Sequence, residues 1–275
     1  MTIDPEAAEL AQRLTAAYSR LPETVAIAWG GSQTNNLTDQ YSDLDIYIYQ
    51  KAEIALQTRS EIAATFADEP EIGNNFFESG DEFVDRKTGL GVDLIFRSPD
   101  WVEGELTRVL KRHQASIGYS TAIWYNVLNY RTLYDPEGWL ARLLDIARQP
   151  YPEELRRAII AKNYPLLREN QSSYQHQIEK SLTRRDKISY NHRVAVLLAS
   201  YFDVLFAFNR QPHPGEKRLI PLAKKLCPHL PASFEADLDA WLVLPPIPEN
   251  IPSILRVMTH LLDELDILLQ FGPES

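Results

Sequence analysis

The heptapeptide Tyr41-Ser42-Asp43-Leu44-Asp45-Ile46-Tyr47 alternates acid and hydrophobe. In an extended strand, successive side chains point to opposite faces, so Asp43 and Asp45 share one face while Leu44 and Ile46 turn toward a core. Two neighbouring carboxylates repel, and a strand keeps them side by side at least cost when a cation lies between them. Working outward, Val25–Trp29 is a short apolar run that stops at Gly30-Gly31-Ser32, a buried strand entering a turn. Further on, Gly91-Val92-Asp93-Leu94-Ile95-Phe96 sets one acid in an otherwise apolar strand, where an unpaired charge is costly. If that strand lies beside the first, Asp93 joins Asp43 and Asp45.

The surrounding segments predict a small α/β unit. Asp4-Pro5 is a cap followed by proline at the first helical position, and Leu10, Leu14, Tyr18 and Leu21 recur at helical spacing. Residues 52–67 are predicted helical. Phe76–Asp85 and Gly91–Phe96 form a strand pair turning at Lys87-Thr88-Gly89, and Trp101–Arg112 is a helix entered from Ser98-Pro99-Asp100. Beyond about residue 115 the periodicity becomes helical throughout. Val194, Leu197, Leu198, Tyr201, Leu205 and Phe208 make one stripe; Leu255, Met258, Leu262, Leu265 and Leu269 make another. The expected architecture is α+β: a mixed sheet with flanking helices over residues 1–115, then an all-helical bundle over 116–275.

Composition narrows the chemistry. The 275 residues carry a net charge of -10, and residues 1–115 hold 20 acidic against 10 basic side chains. A duplex-binding surface needs clustered Lys and Arg, so nucleic acid is an unfavoured partner and a metal or cationic ligand a better one. The single cysteine, Cys227, excludes an internal disulfide and a paired-cysteine metal site. There is no basic start with an apolar run at the N-terminus and no long apolar span, so a cytoplasmic protein is expected.

The order glycine–serine turn, short gap, paired-aspartate strand, then a lone aspartate in a later hydrophobic strand resembles the DNA-polymerase-β-like nucleotidyltransferase superfamily. The segments Leu205–Arg210 and Pro214-Gly215-Glu216-Lys217-Arg218 are similar to a bacterial branch with a helical C-terminal domain, akin to antibiotic (aminoglycoside-type) adenylyltransferases. The resemblance implies Mg2+ held by Asp43, Asp45 and Asp93, in a two-ion arrangement, with an NTP, ATP by expectation, as co-substrate. It implies that Gly31 and Ser32 cradle the terminal phosphates and that Lys217 and Arg218 meet the triphosphate. It further implies an NMP transferred to a hydroxyl of a small-molecule or macromolecular acceptor, a cationic small molecule among them. The general base is then Asp93 or a helical-domain acid, with Asp203, Asp135, Glu153 and Glu154 as candidates. Two other readings stand beside it. Arg185 and His192 resemble the spaced pair of HEPN ribonucleases, and a non-catalytic NTP-binding or toxin–antitoxin module has the same outline.

Overall fold

The computed structural model describes residues 4–31, 43–75 and 78–271. It is α+β, with a six-stranded mixed sheet and eleven α-helices among those residues. In chain order the elements are α1 (Pro5–Tyr18), β1 (Thr24–Trp29), β2 (Leu44–Gln50), α2 (Leu56–Ala63), β3 (Glu71–Asn74), β4 (Gly80–Val84) and β5 (Gly91–Arg97). Next come α3 (Pro99–Leu110), α4 (Ala122–Leu128), β6 (Arg131–Tyr134), α5 (Trp139–Ala147), α6 (Glu153–Tyr164), α7 (Tyr174–Thr183) and α8 (Lys187–Phe208). The chain ends with α9 (Leu219–Leu226), α10 (Phe234–Leu242) and α11 (Ile251–Phe271).

Two compact units emerge: residues 1–107 with 126–149, and residues 108–125 with 150–275. The division therefore does not fall at residue 115. The chain leaves the sheet unit within α3, returns within α4, and contributes β6 to the edge of the sheet beside β1. Residues 131–134, expected in an all-helical region, are a strand because Thr132 and Tyr134 pair with Ala28 and Ile27, partners more than a hundred residues earlier.

In the sheet unit the strand order is β3-β4-β5-β2-β1-β6, and β2 with β5 is the parallel pair. Ile27, Trp29, Leu44, Ile46, Ile48, Val92, Leu94 and Phe96 form a buried layer with Leu10, Leu14 and Tyr18 of α1. Helix α1 begins as its sequence dictates: the Asp4 carboxylate accepts the Glu6 N–H at 3.0 Å, with Pro5 at the first position. Helix α2 is shorter than the expected 52–67, and its Arg59 is buried. That guanidinium makes a forked pair with the equally buried Asp81 of β4 and lies 3.9 Å over the Phe96 ring. Such a pair is costly to desolvate, and removing one partner strands the other.

The helical unit is built around α8. Tyr201, Val204, Leu205 and Phe206 are buried among Leu167, Ile178, Leu238, Trp241, Met258, Leu261 and Leu265, drawn from the surrounding helices. Among the described residues, no helix is long and apolar enough to cross a membrane.

Candidate active site

The register of β2 on β5 answers the question posed by the three aspartates. Asp45 is the direct partner of Asp93 across the parallel pair, and Leu44 is the partner of Val92. Asp45 and Asp93 consequently point to one face, opposite the α1 layer, and Asp43 lies two residues before Asp45, just ahead of the strand. Asp43 is exposed; Asp45 and Asp93 are half-buried.

Two glycines shape this corner. A Cβ on Gly91 would overlap the Asp43 carboxylate, so the acid occupies the space a side chain would fill. A Cβ on Gly31 would likewise overlap the Asp45 carboxylate, and Gly31 has φ +74, where other residues are strained. The Gly30 N–H donates to the Asp45 carbonyl at 3.0 Å, fixing the backbone that carries the acid. Gly30 is also pressed by the Tyr47 and Tyr130 rings, 2.5 Å and 3.0 Å from where its Cβ would stand. From the sequence, Gly31 reads as part of the phosphate turn and Gly91 as the start of a strand. That Gly91 makes room for Asp43 follows from the register of β2 on β5, which no spacing within either segment announces.

A fourth carboxylate, with no signal in the sequence, stands beside Asp93. Glu82 of β4 is the antiparallel partner of Asp93 and is exposed; it accepts a hydrogen bond from Asn74 Nδ2 at 2.8 Å. Farther along the same face the sheet is closed by aromatics. Tyr47 and Tyr49 are buried, the Tyr130 ring lies 4.9 Å from Tyr47, and the Trp139 ring 4.7 Å from Tyr49. Arg97 is fixed there by a two-pronged pair to Glu78 at 2.6 Å and by the Tyr130 hydroxyl at 3.1 Å. Burial drives the Tyr47 and Tyr49 hydroxyls above their usual range, so they remain protonated. One end of the face is thus an acidic opening and the other a packed wall.

Among the described residues, no group of three or more His, Cys, Asp or Glu side chains is arranged to hold a metal ion unaided. Magnesium in phosphate-handling sites takes one or two carboxylates and completes its shell with water and substrate oxygens. Registered carboxylates on one face, two of them seated against glycines, fit that mode of binding.

The other predicted residues divide between the units. Ser32, and the gap from Gln33 to Ser42, lie outside the described residues. Lys217 and Arg218 belong to the helical unit at the start of α9, Lys217 exposed and Arg218 half-buried with φ +56. Asp135 caps α5, accepting the Leu140 and Ala141 N–H groups at 3.0 and 2.9 Å. Glu153 is paired with Arg156 at 2.6 Å and Arg210 at 3.1 Å, and Glu154 is exposed. Arg185 and His192 are both exposed, the first between α7 and α8 and the second on α8.

Asp203 is the most constrained of these acids. It is 1% exposed on α8 and accepts the Ser120 N–H at 3.0 Å, the Ser120 hydroxyl at 2.6 Å and Asn163 Nδ2 at 3.1 Å. Burial pushes its carboxyl up to about 7, against the pull of the Ser120 and Asn163 donors and the Arg108 charge. With its oxygens engaged, Asp203 buttresses the turn at 116–120.

A family profile described as a domain of unknown function, DUF4037, matches residues 121–219. No curated protein matches the chain. Among solved structures, a nucleotidyltransferase-like protein from Exiguobacterium sibiricum aligns at 16% identity and a TM-score of 0.44, over 94% of this chain and 76% of that one. The CCA-adding enzyme of Thermotoga maritima, solved with tRNA, aligns at 13% identity and a TM-score of 0.26, over 99% and 85%.

Proposed function

We propose that this chain is a nucleotidyltransferase that moves a nucleoside monophosphate, AMP from ATP in the first instance, onto an acceptor hydroxyl. The observation that carries the reading is the direct register of Asp45 with Asp93 on neighbouring parallel strands, with Asp43 on the same face and glycines against two of the three acids. Asp43 and Asp45 would hold magnesium, with Asp93 completing a second ion position. Bound there, the ions would neutralise charge on the triphosphate and orient its α-phosphorus, the dominant need in phosphoryl transfer.

The chain's own groups do the rest. Gly31 leaves the room that the Asp45 carboxylate fills, and the turn it opens would bring the backbone toward the terminal phosphates. The acceptor oxygen attacks the α-phosphorus, the bond to the β-phosphate oxygen breaks, and pyrophosphate leaves. The acceptor proton would pass to Asp93, where it is not taken up by the second ion, or to a helical-domain acid such as Asp203. A cationic acceptor suits the acidic opening, where Glu82 adds a further negative charge beside Asp93.

Pyrophosphate release in the presence of magnesium, each NTP and a panel of hydroxyl acceptors tests this, with nucleotide adducts read by mass spectrometry. Wild type should release pyrophosphate and produce an adduct, and Asp45→Asn should lower the rate at least about a hundredfold, the scale on which losing one contact that stabilises transition-state charge acts. Release at the wild-type rate by Asp45→Asn would remove the proposal.

A further inference from the structure

Helices α10 and α11 meet at a cluster of polar side chains. Ser233 stands at the N-cap of α10, yet its hydroxyl caps no N–H and donates instead to the Asp237 carboxylate at 2.6 Å. The same carboxylate oxygen accepts from Nδ1 of His260, on α11, at 2.8 Å, and the Ser233 oxygen lies 3.3 Å from that nitrogen. The opposite ring nitrogen, Nε2, is 3.9 Å from the Glu264 carboxylate, one turn further along α11. From the core side, the fully buried Tyr201 of α8 presents a hydroxyl that has no hydrogen-bond partner among the described residues and senses the charges of Asp237 and Glu264.

A carboxylate at each ring nitrogen decides which form of the imidazole belongs here. The neutral ring has one N–H, so with Nδ1 committed to Asp237 it would turn a lone pair toward Glu264. The imidazolium donates on both sides. The hydrogen bond and charge of Asp237, followed by the charge of Glu264, accordingly raise His260 above its usual titration range. Asp263 adds to this field but is paired with Arg168 at 2.6 Å. Of the other charges nearby, Glu235 is taken by Lys224 of α9, and Arg256, one turn back on α11, is exposed. Burial raises the Tyr201 hydroxyl and keeps it protonated. His260 is therefore the member of the cluster that changes charge near neutral pH. The burial of Phe234, Leu238 and Trp241 also holds α10, but that apolar hold does not vary with pH.

We propose that His260 is a pH-sensitive clasp: protonated, it ties the first turns of α10 to α11, and on losing its proton it leaves Asp237 and Glu264 uncompensated and loosens that tie. The direction follows from the raised titration. The tie is complete below 6.5, the ordinary value, and is lost as pH rises through the higher value of the folded chain.

NMR titration of the His260 ring and amide exchange along α10, both on the full chain from about pH 5.5 to about pH 8.5, test the proposal. His260 should titrate above 6.5 in wild type, and Asp237→Asn should lower that midpoint. Protection of the Asp237 and Leu238 amides, corrected for the intrinsic pH dependence of exchange, should fall about two- to fivefold over the range, the scale of an exposed ion pair. His260→Gln, a change at a half-exposed position that leaves a neutral donor, should show the lower protection at every pH. Titration of His260 at or below 6.5 overturns the proposal. A fall of wild-type size in His260→Gln also overturns it, because the proton responsible would then belong to another group.

Discussion

The most informative single residue is Gly91. Its missing side chain is where Asp43 sits, and its φ is not in the left-handed region, so alanine fits the backbone there. Gly91→Ala therefore separates a local collision from backbone strain, which Gly31→Ala cannot do at φ +74. We expect Gly91→Ala to displace the Asp43 carboxylate and to lower magnesium-dependent pyrophosphate release at least about tenfold, the scale on which misplacing one ligand-bearing group acts. The thermal midpoint should stay within a few degrees, because the carboxylate is exposed and can move. Full activity in Gly91→Ala would show that the seating of Asp43 is unimportant. The acids themselves were legible from alternation, because strand period alone puts Asp43 and Asp45 together. Glu82 was not legible. Its place beside Asp93 follows from the β4–β5 register, which a polar strand ending in exposed Val84 does not announce.

Among elements, those with a strong local period were readable: α1 from its cap and stripe, β2 and β5 from alternation, α8 and α11 from spacing. The short edge strands were not. Glu71–Asn74 and Arg131–Tyr134 are four residues each, largely polar, and become strands through their partners β4 and β1. The tie that α8 makes through Asp203 was half legible: an acid in an apolar helix demands a partner, but Ser120 and Asn163 lie 83 and 40 residues away in sequence. That tie has a pH signature. The Asp203 carboxyl is raised from 3.8 to about 7 on folding, so between those values the folded chain holds a proton that the unfolded chain has lost. Stability from this group is present at low pH and is lost as pH rises through about 7, by about 1.4 kcal/mol per pH unit at the steepest. Arg108 opposes the shift and moderates it. Asp203→Asn has no such proton, so its urea-unfolding stability between pH 5 and pH 8 should follow a profile lacking this decline. Parallel profiles for the two proteins would assign the buried proton elsewhere.

For the whole molecule, charge follows the structural division, and a cut at residue 107 gives the same split because residues 126–149 carry no net charge. The sheet unit carries 23 acidic and 10 basic residues, a net of -13; the helical unit carries 15 and 18, a net of +3. The excess of acid therefore belongs to the unit whose sheet gathers Asp43, Asp45, Asp93 and Glu82 on one face. Self-repulsion within that unit works against its own folding, and a divalent cation bound among these acids, as proposed above, would relieve it. This gives stability and function opposite signs at one residue. Without metal, Asp45→Asn removes a charge registered directly against Asp93 and should raise stability by on the order of 1 kcal/mol, with a corresponding rise in the thermal midpoint. With magnesium the order should reverse in response. The wild-type midpoint should climb with ion concentration as mass action requires, while that of Asp45→Asn should climb much less. Calorimetric scans of both proteins in EDTA and across a magnesium series read the two effects together. If Asp45→Asn is less stable than wild type in EDTA, the acids are held for structural pairing and not against their mutual repulsion. If both proteins gain equally from magnesium, the ion binds away from this face, and the division of charge between the units serves something other than catalysis at the sheet.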